Sequence, residues 1–503
     1  MEPSPATLES LVSERYKVHG TFTHQAYAIG LLEPLNEVLA NLPAYPLDTG
    51  DAEGMRRFHS ALVLYHETTH YAQFVSTAFG LQMARMTNIC ATRLMQHGPW
   101  QLPVLDHLDD ADGEDVDRFF AFKYLIESVQ SREQRYPVPP GVAADSVTLI
   151  GRRSSPSFYL VPEDDPQSLA AIAASGSQLH ADYHVLRGIG NGMVSDVALN
   201  TAALMEGYAH ATEMNHVANA LGMDRLMARI DAYPPIYTAA MAAYLMVYEL
   251  PVPYMILNLA ALIDIALMYS PHILYNIGPC HRLDHGGDRY RMPADIFIEA
   301  CAKARSVEPI GDHAPAEVQR FQDAVCRAMN VPTTAEMVRL CLERLAKIGL
   351  RTRNDCDRVF LDATPMHPLK AFALHWLALD YRQKHQEGFC VEMFKTDRLI
   401  EILEPARRHI TFFDLRTRQP HEFHPGRLYY SSQSALVWAT LHARRLDCPL
   451  KRGHPYFCPN GGSSHDQLCV FHGNEDEAKR SGMALEQECI LDIFERTAGL
   501  RGQ

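Results

Sequence analysis

Apolar and polar positions recur at helical spacing over much of the chain. Phe58, Leu62, Tyr65, Thr69 and Ala72 follow one another at intervals of three and four, and no Pro or Gly falls between Gly54 and Gly80. A helix is therefore predicted from Met55 to about Ala78. Leu31 to Leu42 reads as a shorter helix ending before Pro43, and a further helix is expected around Ala84–Gln96. A long helix is predicted from about Val197 to Leu221, stopped by Gly222. From Pro234 to about Leu350 the pattern is mostly helical, with breaks at Pro271–Met292 and Val307–Pro315; Pro309, Gly311 and Pro315 make the second break a soft boundary. Strand signals are few. They are Tyr16–Thr23, a hairpin of Val147–Ile150 with Phe158–Val161 around Arg152–Pro156, and a hairpin of Ile410–Leu415 with His421–Phe423. The expected fold class is mainly α with small β elements (α+β). It divides into an N-terminal segment 1–50, a central region 51–310 and a mostly helical region 311–503.

Composition sharpens this picture at three points. Val252–Ser270 is apolar enough and long enough for a bilayer, but Pro253, Asn258 and Asp264 interrupt it and no basic flank follows, so a buried helix is expected and no membrane association. Of the 503 residues 47% are hydrophobic and 21% charged, the balance of a globular chain, and the formal net charge of −14 argues against a nucleic-acid partner. The start, Met1-Glu2-Pro3-Ser4-Pro5, is not a secretory signal, and the eleven cysteines are scattered singly; both point to a reducing cytoplasm. The acidic run Asp106–Asp117 is read as a solvated loop and helix start.

The string His66-Glu67-Thr68-Thr69-His70 is where chemistry enters. Residues four apart share a helix face, so His66 and His70 would aim ring nitrogens at one metal ion, with Glu67 beside them as a general base toward a bound water. The competing account is a solvent-facing His/Glu pair on an ordinary helix. Two imidazoles leave a catalytic zinc short of its usual third protein ligand. Nothing acidic follows His70 before Gly80. The candidate is Glu206, in Leu204-Met205-Glu206-Gly207-Tyr208-Ala209-His210-Ala211, where Gly207, Ala209 and Ala211 would let two helices approach around the ion.

This pair of motifs resembles the gluzincin branch of the zincin metallopeptidases. The resemblance implies a zincin-like helical core, zinc held by His66, His70 and Glu206, Glu67 as catalytic base, and a peptide or protein substrate. Gluzincins of the thermolysin type carry an Asp four residues after the ligand Glu; here His210 stands there, as an alternative ligand or as a partner behind the ligands. The acidic stretch and the 147–161 hairpin would be insertions between the motif helices. In a zincin a later His, Tyr or Arg often steadies the tetrahedral intermediate, and His281, His285 and Tyr290 in a polar loop are the candidates.

Towards the C-terminus Cys448, Cys458, Cys469 and His472 would form a structural zinc knuckle within 448–472. The helical C-terminal region would shape the substrate groove or receive a regulatory protein partner. Two other classes stay open at this point. Glu67-Thr68-Thr69-His70 and Glu213-Met214-Asn215-His216 are both Glu-x-x-His units, as in di-iron helical-bundle oxidoreductases, although Glu206 and Glu213 fall on one helix. The third class is a zincin scaffold kept as an inactive binding or regulatory module.

Overall fold

The computed structural model describes residues 20–85, 133–156, 180–270 and 292–392, each with short gaps, together with 88, 401 and 411–414. The described chain is mainly α with small β elements. His281, His285, Tyr290, the 448–472 Cys/His cluster and the acidic run 106–117 lie outside the described residues.

Two helices frame everything else. Helix α2 (Ala52–Val75) starts at Asp51, whose carboxylate accepts the Glu53 N–H at 3.0 Å. It follows α1 (Leu35–Ala40), which is shorter than the 31–42 expected because Ala28–Leu31 is a strand. From Leu64 to Val75 every residue of α2 is buried, so the helix is an interior strut with no solvent face along its second half. The apolar stripe read from the sequence covers one side only. The other side buries His66, Glu67, His70 and Gln73, which excludes the solvent-facing account.

The expected continuation to Ala78 breaks at Ser76 and Thr77. Ser76 Oγ donates back to Ala72 O, and Thr77 Oγ1 accepts the Gly80 N–H, so the next helix, α3 (residues 78–85), starts at once in a new direction. The fold-back is tight: a Cβ on Gly80 would sit 1.6 Å from Phe74 O.

Helix α4 (Thr201–Leu221) packs along α2. Asn200 caps it by accepting the Ala203 N–H at 3.1 Å, and Gly222 ends it at a φ of 86°. Residues 197–199, expected as its first turn, belong instead to strand β6 (Met193–Leu199), which feeds directly into the cap. β6 is an inner strand of an antiparallel sheet ordered β3-β6-β5-β4, with β3 Glu133–Pro137, β4 Ser146–Pro156 and β5 His180–Gly190. This sheet corrects the sequence reading of a turn at Arg152–Pro156. Those residues are strand, and β4 pairs with β5 as far as Pro156↔His180. As an edge strand β4 tolerates charge and a terminal Pro that would read as a turn elsewhere.

A second sheet, β1-β2-β7, packs on α2 with β1 (Gly20–Thr23) and β2 (Ala28–Leu31). Its third strand, β7 (Thr411–Asp414), runs parallel to β2 in the register Ala28↔Thr411. The strand expected at Ile410–Leu415 is thus present, but the neighbour found for it comes from the opposite end of the chain.

The helices after α4 close the core: α5 (Pro235–Leu245), α6 (Val252–Met268), α7 (Pro293–Ala304), α8 (Pro315–Met329), α9 (Thr334–Lys347), α10 (Arg353–Leu361), α11 (Leu369–Lys384) and α12 (Phe389–Glu392). α6 is the apolar stretch of membrane length. From Met255 to Met268 it is buried on every side, and no described helix is long and apolar enough to cross a membrane. The Pro- and Gly-containing segment 307–314 is coil, but Asn258 of α6 grips it, accepting the Ile310 N–H at 3.1 Å and donating to Ile310 O at 3.3 Å. Val318 and Phe321, beyond that segment, share one apolar core with α2, α4 and α6.

Candidate metal centre

His66 and His70 lie one turn apart on α2 and face Glu206 on α4. His66 Nε2 is 2.9 Å from His70 Nε2, and Glu206 Oε2 is 3.1 Å from the first and 3.3 Å from the second. Among the described residues this is the group of side chains whose ligand atoms come close enough to hold a metal ion. A tetrahedral site with bonds of about 2.0–2.1 Å has ligand-to-ligand edges of about 3.3–3.4 Å. The observed triangle is only slightly contracted from that, so the donor set fits an ion with little adjustment.

The far sides of both rings fix which nitrogens face inward. His70 Nδ1 is 3.3 Å from Gln73 Oε1. His66 Nδ1 is 3.2 Å from Glu213 Oε1, in a contact too bent to count as a full hydrogen bond. An acceptor beside each Nδ1 assigns the proton there, which leaves both Nε2 lone pairs pointing at each other and at a carboxylate oxygen. Three lone pairs brought together in a buried site repel unless a cation, or a captured proton, sits among them. Burial disfavours a charged His66, yet Glu206 and Glu213 outweigh it and hold the imidazole well above its ordinary pKa. Burial likewise opposes ionisation of Glu206, but His70 and His66 hold its carboxyl well below the usual range. Both directions describe a site that attracts positive charge.

Glu67 is buried between the same elements, and its carboxyl is not one of the three converging donors. Burial pushes its pKa up to about 7, against the pull of His66 and His70 and with the help of Glu206 and Glu213. The side chain of Glu206 is 27% exposed while those of the two imidazoles are 8%, so Glu206 is the most solvent-exposed of the three.

Glu213, which the sequence offers only as part of a second Glu-x-x-His unit, is the residue that stands behind His66. It lies two turns beyond Glu206 on the same face, and its partner is the outer nitrogen of His66, not the centre. Carboxylates in that place fix ring orientation and raise ligand basicity. A seven-residue offset from a ligand Glu was the signal available. His210 stands behind this carboxylate, with Nδ1 3.5 Å from Glu213 Oε2 and its ring 6.1 Å from that of Tyr237. It is placed as a partner of Glu213 and outside the converging triangle. His216 stacks on Tyr65 at 4.0 Å, away from the triangle.

Gly207 serves a different contact from the one expected. A Cβ on Gly207 would lie 2.7 Å from Ala240 Cβ, so Gly207 admits α5, not α2. α5 in turn brings Tyr237 to within 5.6 Å, ring to ring, of His66. The chain matches no family model, no curated protein and no solved structure with which it was compared.

Proposed function

We propose that the protein is a zinc-dependent metallopeptidase with a single metal centre. The observation that carries this reading is the convergence of three lone-pair-bearing atoms, from His66, His70 and Glu206, beside a buried Glu67 that is not one of them. When bound there, zinc supplies Lewis acidity toward a peptide carbonyl and makes a water acidic enough to attack at neutral pH. The chain's own groups do the rest. Gln73 and Glu213 hold the two imidazoles with Nε2 inward. Glu67 takes the proton from the attacking water onto its carboxylate and later delivers it to the departing amine. Glu206 lines the open side, where the substrate enters.

The two oxygens of Glu213 are turned to His66 and His210, each through Nδ1, which supports an orienting role and favours one metal over a di-iron pair. The five described cysteines, Cys301, Cys326, Cys341, Cys356 and Cys390, are buried thiols outside any disulfide, which supports a reducing cytoplasmic setting.

Metal analysis of the purified chain tests the reading. About one zinc held by the His66, His70 and Glu206 centre is expected, lost in His66→Ala, with any further zinc in the wild-type chain belonging to the 448–472 cysteines. Glu67→Gln should retain the metal and lose about 10²–10⁴-fold in peptide hydrolysis. Iron in place of zinc would redirect the reading to the oxygen chemistry that two His and one carboxylate also support. Wild-type cleavage by Glu67→Gln would end the proposed mechanism.

A further inference from the structure

The last turn of the metal-bearing helix is held from a distance. A helix leaves its final carbonyls without intrahelical donors. At the end of α2 the carbonyls of Val75 and of the cap residue Ser76 are met by α11, some three hundred residues later in the chain. His375 Nδ1 lies 3.0 Å from Val75 O, and Arg382 Nη1 donates to Ser76 O at 3.4 Å. The two residues are seven apart, two turns on one face of α11. Both are almost wholly buried, at 0% and 3% exposure.

Arg382 is itself locked. It makes a two-pronged pair with Asp264 of α6 at 2.8 and 2.6 Å, and its guanidinium stacks 4.5 Å over the Phe389 ring. The held turn also contains Gln73, whose amide oxygen sets the ring of His70.

We infer that His375 and Arg382 are positioning residues for the metal centre, fixing the last turn of α2 and through Gln73 the direction in which His70 presents Nε2. The inference rests on the metal-centre reading above. It assigns to the C-terminal helices a task inside the site, although none of their described side chains belongs to the converging triangle. A purely structural tie would affect stability alone. A positioning tie also alters the coordination geometry of protein that remains folded.

Cobalt(II) titration of the full chain separates these cases, read through the visible d–d absorption and through competition with a chromogenic chelator. His375→Ala should bind cobalt about tenfold more weakly, the low end of what lost outer contacts cost a metal site, with a changed d–d envelope. His375→Asn, whose amide nitrogen donates from nearly the place of Nδ1, should restore both. Ile296→Ala, a core deletion on α7, should lower stability and leave the spectrum alone. A folded His375→Ala with wild-type affinity and spectrum overturns the inference. Where His375→Ala does not fold, Arg382→Lys decides: it keeps a cation beside Asp264 and loses the donor to Ser76 O, and an unchanged spectrum there overturns the inference equally. A wild-type chain that takes up no cobalt would instead refute the metal centre itself, a result distinct from normal uptake with an indifferent variant.

Discussion

Two buried polar clusters sit at opposite ends of the second half of α2, and they are built on opposite principles. Around Asp264 every charge is answered. Arg382 pairs with both carboxylate oxygens, Gln322 adds a bond at 2.9 Å and also reaches Ala261 O at 3.1 Å, and the guanidinium faces a backbone carbonyl and an aromatic ring. Around His66, His70 and Glu206, acceptors face acceptors. The donors are all on the outside, at Nδ1, and the centre holds three lone pairs within 3.3 Å of one another. A satisfied network of this kind rigidifies a core. A network whose acceptors converge on one shared point is a socket. Burial alone does not distinguish the two; counting donors against acceptors does.

That contrast can be broken most forcefully at Asp264. Asp264→Ala strands a buried guanidinium and should cost about 3–5 kcal/mol in urea unfolding, whereas the double change Asp264→Leu with Arg382→Met should recover most of it. An equal loss in the single and the double variant would show that the pair is not the closed network described.

Acid probes the same end of α2 through His375, whose pKa burial pushes down to about 3, partly opposed by its bond to Val75 O. Its folded pKa lies below the unfolded value of about 6.5, so the unfolded chain binds more protons in between. Its contribution to stability is complete above pH 6.5 and falls as the pH drops toward 3, by up to about 1.4 kcal/mol per pH unit. His375→Asn should flatten the measured stability–pH slope by that amount; an unaltered slope would show that His375 is not the neutral donor assigned here.

The smallest effect is expected at the socket's rim. Glu213→Gln leaves an oxygen for the His66 Nδ1 proton but removes the charge, and should weaken zinc binding about tenfold, roughly 1.4 kcal/mol, in chelator competition. A variant with wild-type affinity would mean that Glu213 only fills space.

How much of this could be read from the sequence follows from where each signal resides. The helices α2 and α4 are local: the spacing of Phe58 to Ala72 and the stop at Gly222 are enough, and the caps Asp51 and Asn200 adjust their starts by a few residues. Ligand counting draws attention to Glu206, because two imidazoles and no nearby acid demand a carboxylate from elsewhere. Glu213 and Gln73 escape that argument because it asks only what can reach a metal, while their partners are the outer nitrogens of the rings. The Arg152–Pro156 stretch reads as a turn in the sequence because an edge strand and a polar turn share a composition. The pairing of β2 with β7, and the hold of α11 on α2, leave no local trace, since their partners are hundreds of residues apart.

The parallel pairing of β2 with β7 has a consequence in time. On a ribosome adding about 5–20 residues each second, the strand at Ala28–Leu31 waits on the order of 20–80 s for Thr411–Asp414 to emerge. Throughout that interval one edge of β2, which packs on the motif helix, stays open to any other extended segment, including that of a neighbouring nascent chain. The helix bearing the histidines can form early from its own residues. The sheet on which it rests is finished only when most of the polypeptide has been made, so slowing synthesis lengthens the period in which a nearly formed site stands on an unfinished floor.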